Sequence, residues 1–196
     1  CGEILPDALS IINPHQPGCG YPFKDLAGVG VTFKLAGALL YRAGSPGFAE
    51  GLLDIVAIGT IADVVPLLGE NRTIVKNGLV SIQNTDSQGI KALLAVCGLK
   101  EKELNSYNVA FMLAPRINAA GRIDDACECV ELLLTDNAEK AMETAAKLDS
   151  DNKMRQSIEN RILNCAEAMI DESVDFDRDK VLVLCREDWH IGVIGI

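Results

Sequence analysis

From Asp136 to about Ile170 the sequence carries the pattern of one long helix, and this stretch constrains the chain more than any other. Asp136, with Glu139 three residues on, reads as a capping box that opens it. Ala141, Ala145, Leu148, Ile158, Ile162, Cys165 and Met169 then fall on one stripe at alternating three- and four-residue spacing, interrupted by Asn152 and Arg155. We read this as a connecting helix packed on one side rather than the seam of a coiled-coil dimer.

The residues before that helix carry enough apolar material for a core: 48% of the chain is hydrophobic and 23% charged, the balance of a globular protein. Aromatic residues make up only 5%, so Ala, Ile, Leu and Val must do most of the packing. Asp7–Asn13 reads as a short buried strand, followed by a Pro- and Gly-rich loop to Lys24. Asp25 is placed to cap a helix over Leu26–Tyr41. Phe48–Leu68 is apolar almost all round, the mark of a buried helix or of a helix leading into a strand. Helices are predicted over Arg72–Gln83, Gln88–Val96, Ser106–Leu113 (ending near Pro115) and Asp124–Leu134. Past the long helix and an acidic loop, Asp171–Asp179, the Val-Leu-Val-Leu run in Lys180–Cys185 reads as a buried strand opening a second domain. An α/β chain is the expectation.

Secretory and transmembrane classes are disfavoured. The chain opens without a basic and then apolar leader, and no apolar run reaches the roughly 20 residues that span a bilayer. Seven scattered cysteines with no CxxC pair fit reduced thiols in a cytoplasmic protein. The net charge of −10 argues against a nucleic-acid partner only until it is resolved along the chain. Cys1–Arg122 holds ten basic and ten acidic residues, whereas Ile123–Ile196 holds eight and eighteen. A basic groove in the neutral part stays compatible with an acidic tail.

Three places could carry chemistry. Asp63 lies in the apolar segment Gly59–Leu67, where a carboxylate needs a cation, a metal or several donors. Metal ligand and capping or salt-bridged aspartate are equal readings of that feature. Asp54, in similar surroundings, favours the structural one. Pro115-Arg116-Ile117-Asn118-Ala119-Ala120-Gly121-Arg122 sets two guanidinium groups and an amide around small residues, a pattern that suits phosphate oxygens. Its bland alternative is pairing of the arginines with Asp124 and Asp125. Trp189-His190-Ile191-Gly192-Val193-Ile194-Gly195-Ile196 follows the second strand, with glycines where a ligand could approach the backbone. A lone histidine is more often structural, and His15 in its proline loop more so. No Walker motif, GxGxxG, HExxH or nucleophile elbow is present.

Taken together and in this order, Ile11–Pro14, Cys19–Lys24, Leu26–Val31, Leu53–Leu67, Ala114–Arg122 and Trp189–Ile196 resemble the DHH phosphoesterase family, in its branch of bacterial exonucleases specific for single-stranded DNA. Ala114 stands where that family has glycine. The resemblance implies 5′-to-3′ hydrolysis of single-stranded DNA in repair and recombination, with two divalent ions, Mn²⁺ or Mg²⁺. Asp63 then becomes the metal ligand and catalytic residue. Arg116, Asn118, Gly121 and Arg122 become phosphate contacts, and His190 and Gly192 hold DNA from a DHH-associated domain. It further implies a partial DHH domain over 1–134, a connecting helix over 135–172 and the start of the associated domain over 177–196. Single-strand-binding, recombination and repair proteins are the implied protein partners. The family's spaced aspartates and its Asp-His-His triplet are absent from the sequence, so these 196 residues are expected not to hydrolyse DNA by themselves. Rival readings are a DHH enzyme acting on oligoribonucleotides, cyclic dinucleotides or phosphoadenosine phosphate, and a non-catalytic single-strand-binding relative.

Overall fold

The computed structural model describes residues 5–123 and 126–194. Asp124 and Asp125, expected as partners of the two arginines, lie outside the described residues, as do Gly195 and Ile196 of the last block. Among the described residues every regular element is helical: α1 (Gly28–Arg42), a 3-10 run (Pro46–Leu52), α2 (Leu53–Ala62), α3 (Gly69–Gln83), α4 (Gln88–Val96), the single turn α5 (Ser106–Asn108), a π-helical turn (Val109–Leu113), α6 (Ala114–Ile123), α7 (Cys127–Leu134) and α8 (Ala138–Ser173).

The two expected strands do not form among these residues. In Asp7–Asn13 Leu9 is fully exposed and Ile12 half-exposed, and in Lys180–Cys185 Val181 and Val183 face solvent. The physical reason is pairing. A strand satisfies its backbone through a neighbour, and no described segment lies alongside either run as a partner. Apolar runs of this length are also ambiguous by pattern alone.

The core is built as the composition requires, from aliphatic side chains: Ile58 and Ile61 of α2, Val75 and Ile82 of α3, Ile90 and Leu93 of α4, Val109 and Leu113, Leu132 of α7, and Leu148 of α8 are all buried. α2 is the central helix, apolar all round as its sequence promised. Its one buried acid, Asp54, is structural: Oδ1 accepts the Ile55 N–H (2.7 Å) and Oδ2 the Thr85 hydroxyl (2.7 Å). α3 crosses α2 at Gly78, where a β-carbon would meet the Ala57 side chain and come within 2.6 Å of the Leu53 carbonyl oxygen.

Helix boundaries follow local chemistry more finely than the pattern could show. Ala27, not Asp25, is the N-cap of α1, and Asn137, not Asp136, caps α8 through its Oδ1 to the Glu139 and Lys140 N–H groups (2.9 and 3.0 Å). Pro115 does not stop the helix that begins at Ser106. Lacking an N–H, it would break a regular ladder, and the π turn before it absorbs the defect. The Met112 carbonyl there accepts the Arg116 guanidinium and the Cys97 thiol (3.3 Å). Burial pushes that thiol's pKa up and so keeps it a donor. α8 buries Ala141, Ala145, Leu148 and Asn152; no residue from 153 to 173 is buried, so its second half lies off the core.

The proline loop is fastened by the start of α3. Tyr21 donates to Glu70 Oε1 (2.7 Å), Lys34 of α1 pairs with Glu70 Oε2, and the Phe23 ring lies over Gly69, leaving no room for a β-carbon at a residue whose φ of 47° already favours glycine. The Lys34 bond holds Glu70 below the usual carboxylate range against its own desolvation, and raises Lys34; burial, then the bond to Glu70, raises Tyr21. The depressed Glu70 contributes stability above the ordinary glutamate pKa of about 4.3, lost as pH falls through its lower folded value. The raised Lys34 and Tyr21 contribute stability below about pH 10, lost as pH rises through their higher folded values. Lys34 is 45% exposed, so solvent screens the pair. Glu70→Gln is therefore expected to cost up to about 1 kcal/mol at pH 7 and progressively less as pH falls through the lowered Glu70 value, read by urea unfolding across that range.

Candidate active site

The end of α2, the start of α1 and the first turns of α6 enclose a cavity of about 390 Å³ lined by residues 27–29, 58–59, 62–63, 114 and 117–118. Asp63 stands on its wall as the C-cap of α2, its N–H bonded to the Gly59 carbonyl (3.1 Å). Its carboxylate is exposed and makes no ion pair or hydrogen bond among the described residues. Its exposure removes the desolvation cost that the apolar segment suggested, so the side chain is left in water beside the cavity rather than buried in want of a partner. The next residue, Val64, has φ 56°, the left-handed region that costs a β-branched residue on the order of 1–2 kcal/mol. It is 87% exposed, so burial does not explain the strain. Opposite Asp63 the first turn of α1 presents N–H groups that no side chain caps, a positive partial charge at the cavity edge.

α6 has two working faces. Asn118 lines the cavity, and Arg122 lies one turn further along the same side. Arg116 looks the other way. It pairs with Asp149 of α8 through Nε (2.9 Å) and Nη2 (2.7 Å), with both side chains only 15% exposed. Burial alone would raise the Asp149 pKa, but hydrogen bonds from Lys153 and Arg116 outweigh it and hold the carboxyl low. The guanidinium expected at phosphate is thus engaged within the protein. Ala119 and Ala120, read from sequence as room for a ligand, are wholly buried, while Gly121 is exposed.

The last block meets α6 rather than Asp63. Arg122 Nη1 donates to the Gly192 carbonyl (3.2 Å), and a β-carbon on Gly192 would lie 2.7 Å from the Arg122 carbonyl oxygen. His190 Nδ1 accepts the Gly192 N–H (3.2 Å), and its ring is exposed.

No protein-family model matches the chain. Its likeness is to proteins named single-stranded-DNA-specific exonuclease RecJ, at 44% identity over 195 residues in Bacillus subtilis (strain 168) and 40% over 210 residues in Escherichia coli (strain K12). Both matches cover the whole of this chain. The chain is RecJ-like from end to end. It spans only 24% and 36% of the length of those two RecJ proteins. Among solved structures, the Mn²⁺ complex of RecJ from Thermus thermophilus superposes with a TM-score of 0.82 at 35% identity, covering 99% of this chain and 28% of that one. The Mg²⁺ complex from the same organism gives 0.77 at 36%, covering 90% and 27%. The helical arrangement described above is therefore a RecJ arrangement.

Donor chemistry sets what the site can hold. A bare carboxylate oxygen is the ligand that Mn²⁺ and Mg²⁺ prefer, and Asp63 supplies one. No group of three His, Cys, Asp or Glu is gathered anywhere among the described residues, and one carboxylate does not retain an ion. Asp63 fits as one ligand of a larger set. Sequence reading missed the α1 N-terminus, for which the Gly28-Val29-Gly30 run was a signal, and the strain at Val64, for which there was none.

Proposed function

We propose that this chain is the part of a RecJ-like exonuclease that brings one metal ligand, Asp63, to a phosphate-binding cleft. The observation that carries the reading is the unpaired Asp63 carboxylate on the wall of a cavity shared with Asn118 and the uncapped start of α1. Divalent ions, when bound, would activate the attacking water and neutralise charge on the phosphodiester. The chain's own residues do the rest. Asp63 holds its carboxylate open toward the ion, Asn118 donates to a phosphate oxygen, and the α1 N–H groups favour the anion beside it. Arg122 adds charge further along α6, Gly121 keeps that face low, and Arg116 holds α6 against α8. Gly192, bonded to Arg122, and the neighbouring His190 bring DNA contacts to the end of α6.

In this reading 1–134 belong to a DHH-type α/β domain, 135–172 connect, and 177–196 open a DHH-associated domain, with Asp7–Asn13 and Lys180–Cys185 joining sheets once strands pair with them. Single-stranded DNA is the substrate, and single-strand-binding, recombination and repair proteins are the partners. No described helix is long and apolar enough to cross a membrane, and a cytoplasmic location agrees with that substrate.

The test is a substrate panel on the intact protein that carries this chain, with Mn²⁺ supplied: 5′-phosphorylated single strands, duplexes, oligoribonucleotides, cyclic dinucleotides and phosphoadenosine phosphate. Release of nucleotides from the 5′ end of single strands, at least about 100-fold faster than from duplexes, is expected. Preference for any other member of the panel overturns the substrate assignment. The 196 residues alone are expected to release none.

A further inference from the structure

Two stretches of backbone wall the cavity, and nothing in their own sequence fixes the distance between them. One is the lead into α1, where Asp25 lies two residues before Ala27. The other is the turn after α2, where Pro66 lies three residues past Asp63. Asn71 of α3 joins them. Its side chain is wholly buried, and its Nδ2 amide donates one hydrogen bond to the Asp25 carbonyl (2.6 Å) and another to the Pro66 carbonyl (3.1 Å).

We infer that Asn71 is a positioning residue for the Asp63 site, acting as a strap that sets the carboxylate against the start of α1. Three observations support it. The amide is retained although its own Oδ1 has no hydrogen-bond partner, so what the structure uses is the two donors, at the expense of an orphaned acceptor. The turn it grips is strained at Val64, and such a conformation persists only where surrounding structure holds it. Among the described residues, the one side-chain hydrogen bond to residues 64–68 comes from Asn71. A purely space-filling residue at 71 would leave both carbonyls without these donors.

The experiment compares Asn71→Asp, which keeps the shape but sets a carboxylate oxygen against both carbonyls in place of the NH₂ donors, with Ile82→Ala, which opens a cavity in the same helix away from the strap. Amide hydrogen exchange is followed in the intact protein that carries this chain. In Asn71→Asp, exchange is expected to speed up by about tenfold or more at Val31 and Val64, beyond any change at Cys97 of the α4 end. In Ile82→Ala the three should shift together. A uniform change in both variants, or none at Val31 and Val64, overturns the proposal. Asn71→Ala is run beside them; the same local pattern there supports the strap, and its absence counts against it. In the intact protein the strap should appear in kcat, lowered by about tenfold, with KM for single-stranded DNA within about threefold. An unchanged kcat removes the positioning role. This last readout alone rests on the nuclease reading. Absence of nuclease activity in the unsubstituted protein would end that reading, and the exchange result would still decide the strap.

Discussion

Asp63→Asn, placed in the intact RecJ-like protein, is expected to lower Mn²⁺-dependent hydrolysis of single-stranded DNA by about a thousandfold or more, some 4 kcal/mol of transition-state stabilisation. The unfolding midpoint of the chain should not move. The two expectations separate cleanly because the Asp63 side chain is exposed and bonds to nothing described, while its structural work is done by its backbone N–H at the end of α2. Asparagine keeps that N–H and the size of the side chain, and removes only the charge that a hard cation requires. Activity within about tenfold of the unsubstituted protein would end the assignment of Asp63 as a metal ligand. A matching loss of stability would move Asp63 back to the structural reading.

Gly89→Ala is expected to cost more stability than the same change at any other described glycine. Gly89 is buried at the start of α4, and its α-carbon faces the end of α7; a β-carbon there would run into the Leu132 carbonyl oxygen and lie 2.8 Å from the carbonyl carbon. Backbone cannot rotate aside as a side-chain tip does. Relief requires α4 and α7 to part, and Leu93 and Leu132, both within 1% of complete burial, lie where they would separate. A loss of about 3 kcal/mol or failure to fold is expected, measured by urea unfolding. Gly28→Ala provides the contrast, since nothing lies within 4 Å of its β-carbon. There the same change should stabilise by about 0.5 kcal/mol through helix propensity. Equal effects at the two positions would show that propensity, and not the close approach, governs Gly89.

The sequence made the helices legible because each carries its own periodicity, and α3, α4 and α8 begin and end within a few residues of expectation. It named two strands that do not form among the described residues, since strand formation depends on a partner and not on the run itself. Asp63 stood out as a carboxylate in an apolar segment, but the structure places it in solvent at the end of α2, so burial was not what set it apart. The rest of its site was hidden by distance along the chain. Gly28 is 35 residues before Asp63 and Asn118 55 after it, and neither is unusual in its own neighbourhood. The two arginines of one motif illustrate the limit. Spacing gives Arg116 and Arg122 nearly equal standing, and only the packing of α8, which brings Asp149 to one face of α6, separates the clamp at Arg116 from the arginine that meets Gly192.

The π turn ahead of Pro115 has a consequence for counting. Each residue added to or removed from an α-helix rotates everything beyond it by about 100°. The widened turn at Val109–Leu113 therefore works as a phase shifter. It sets which side of α6 carries Asn118 and Arg122 and which carries Arg116. The same five residues wound as a regular α turn would change the phase of α6, turning Asn118 off the cavity and breaking the clamp from Arg116 to Asp149 in the same motion. The five residues from Val109 to Leu113 thus hold the register of the site without contributing a wall to it.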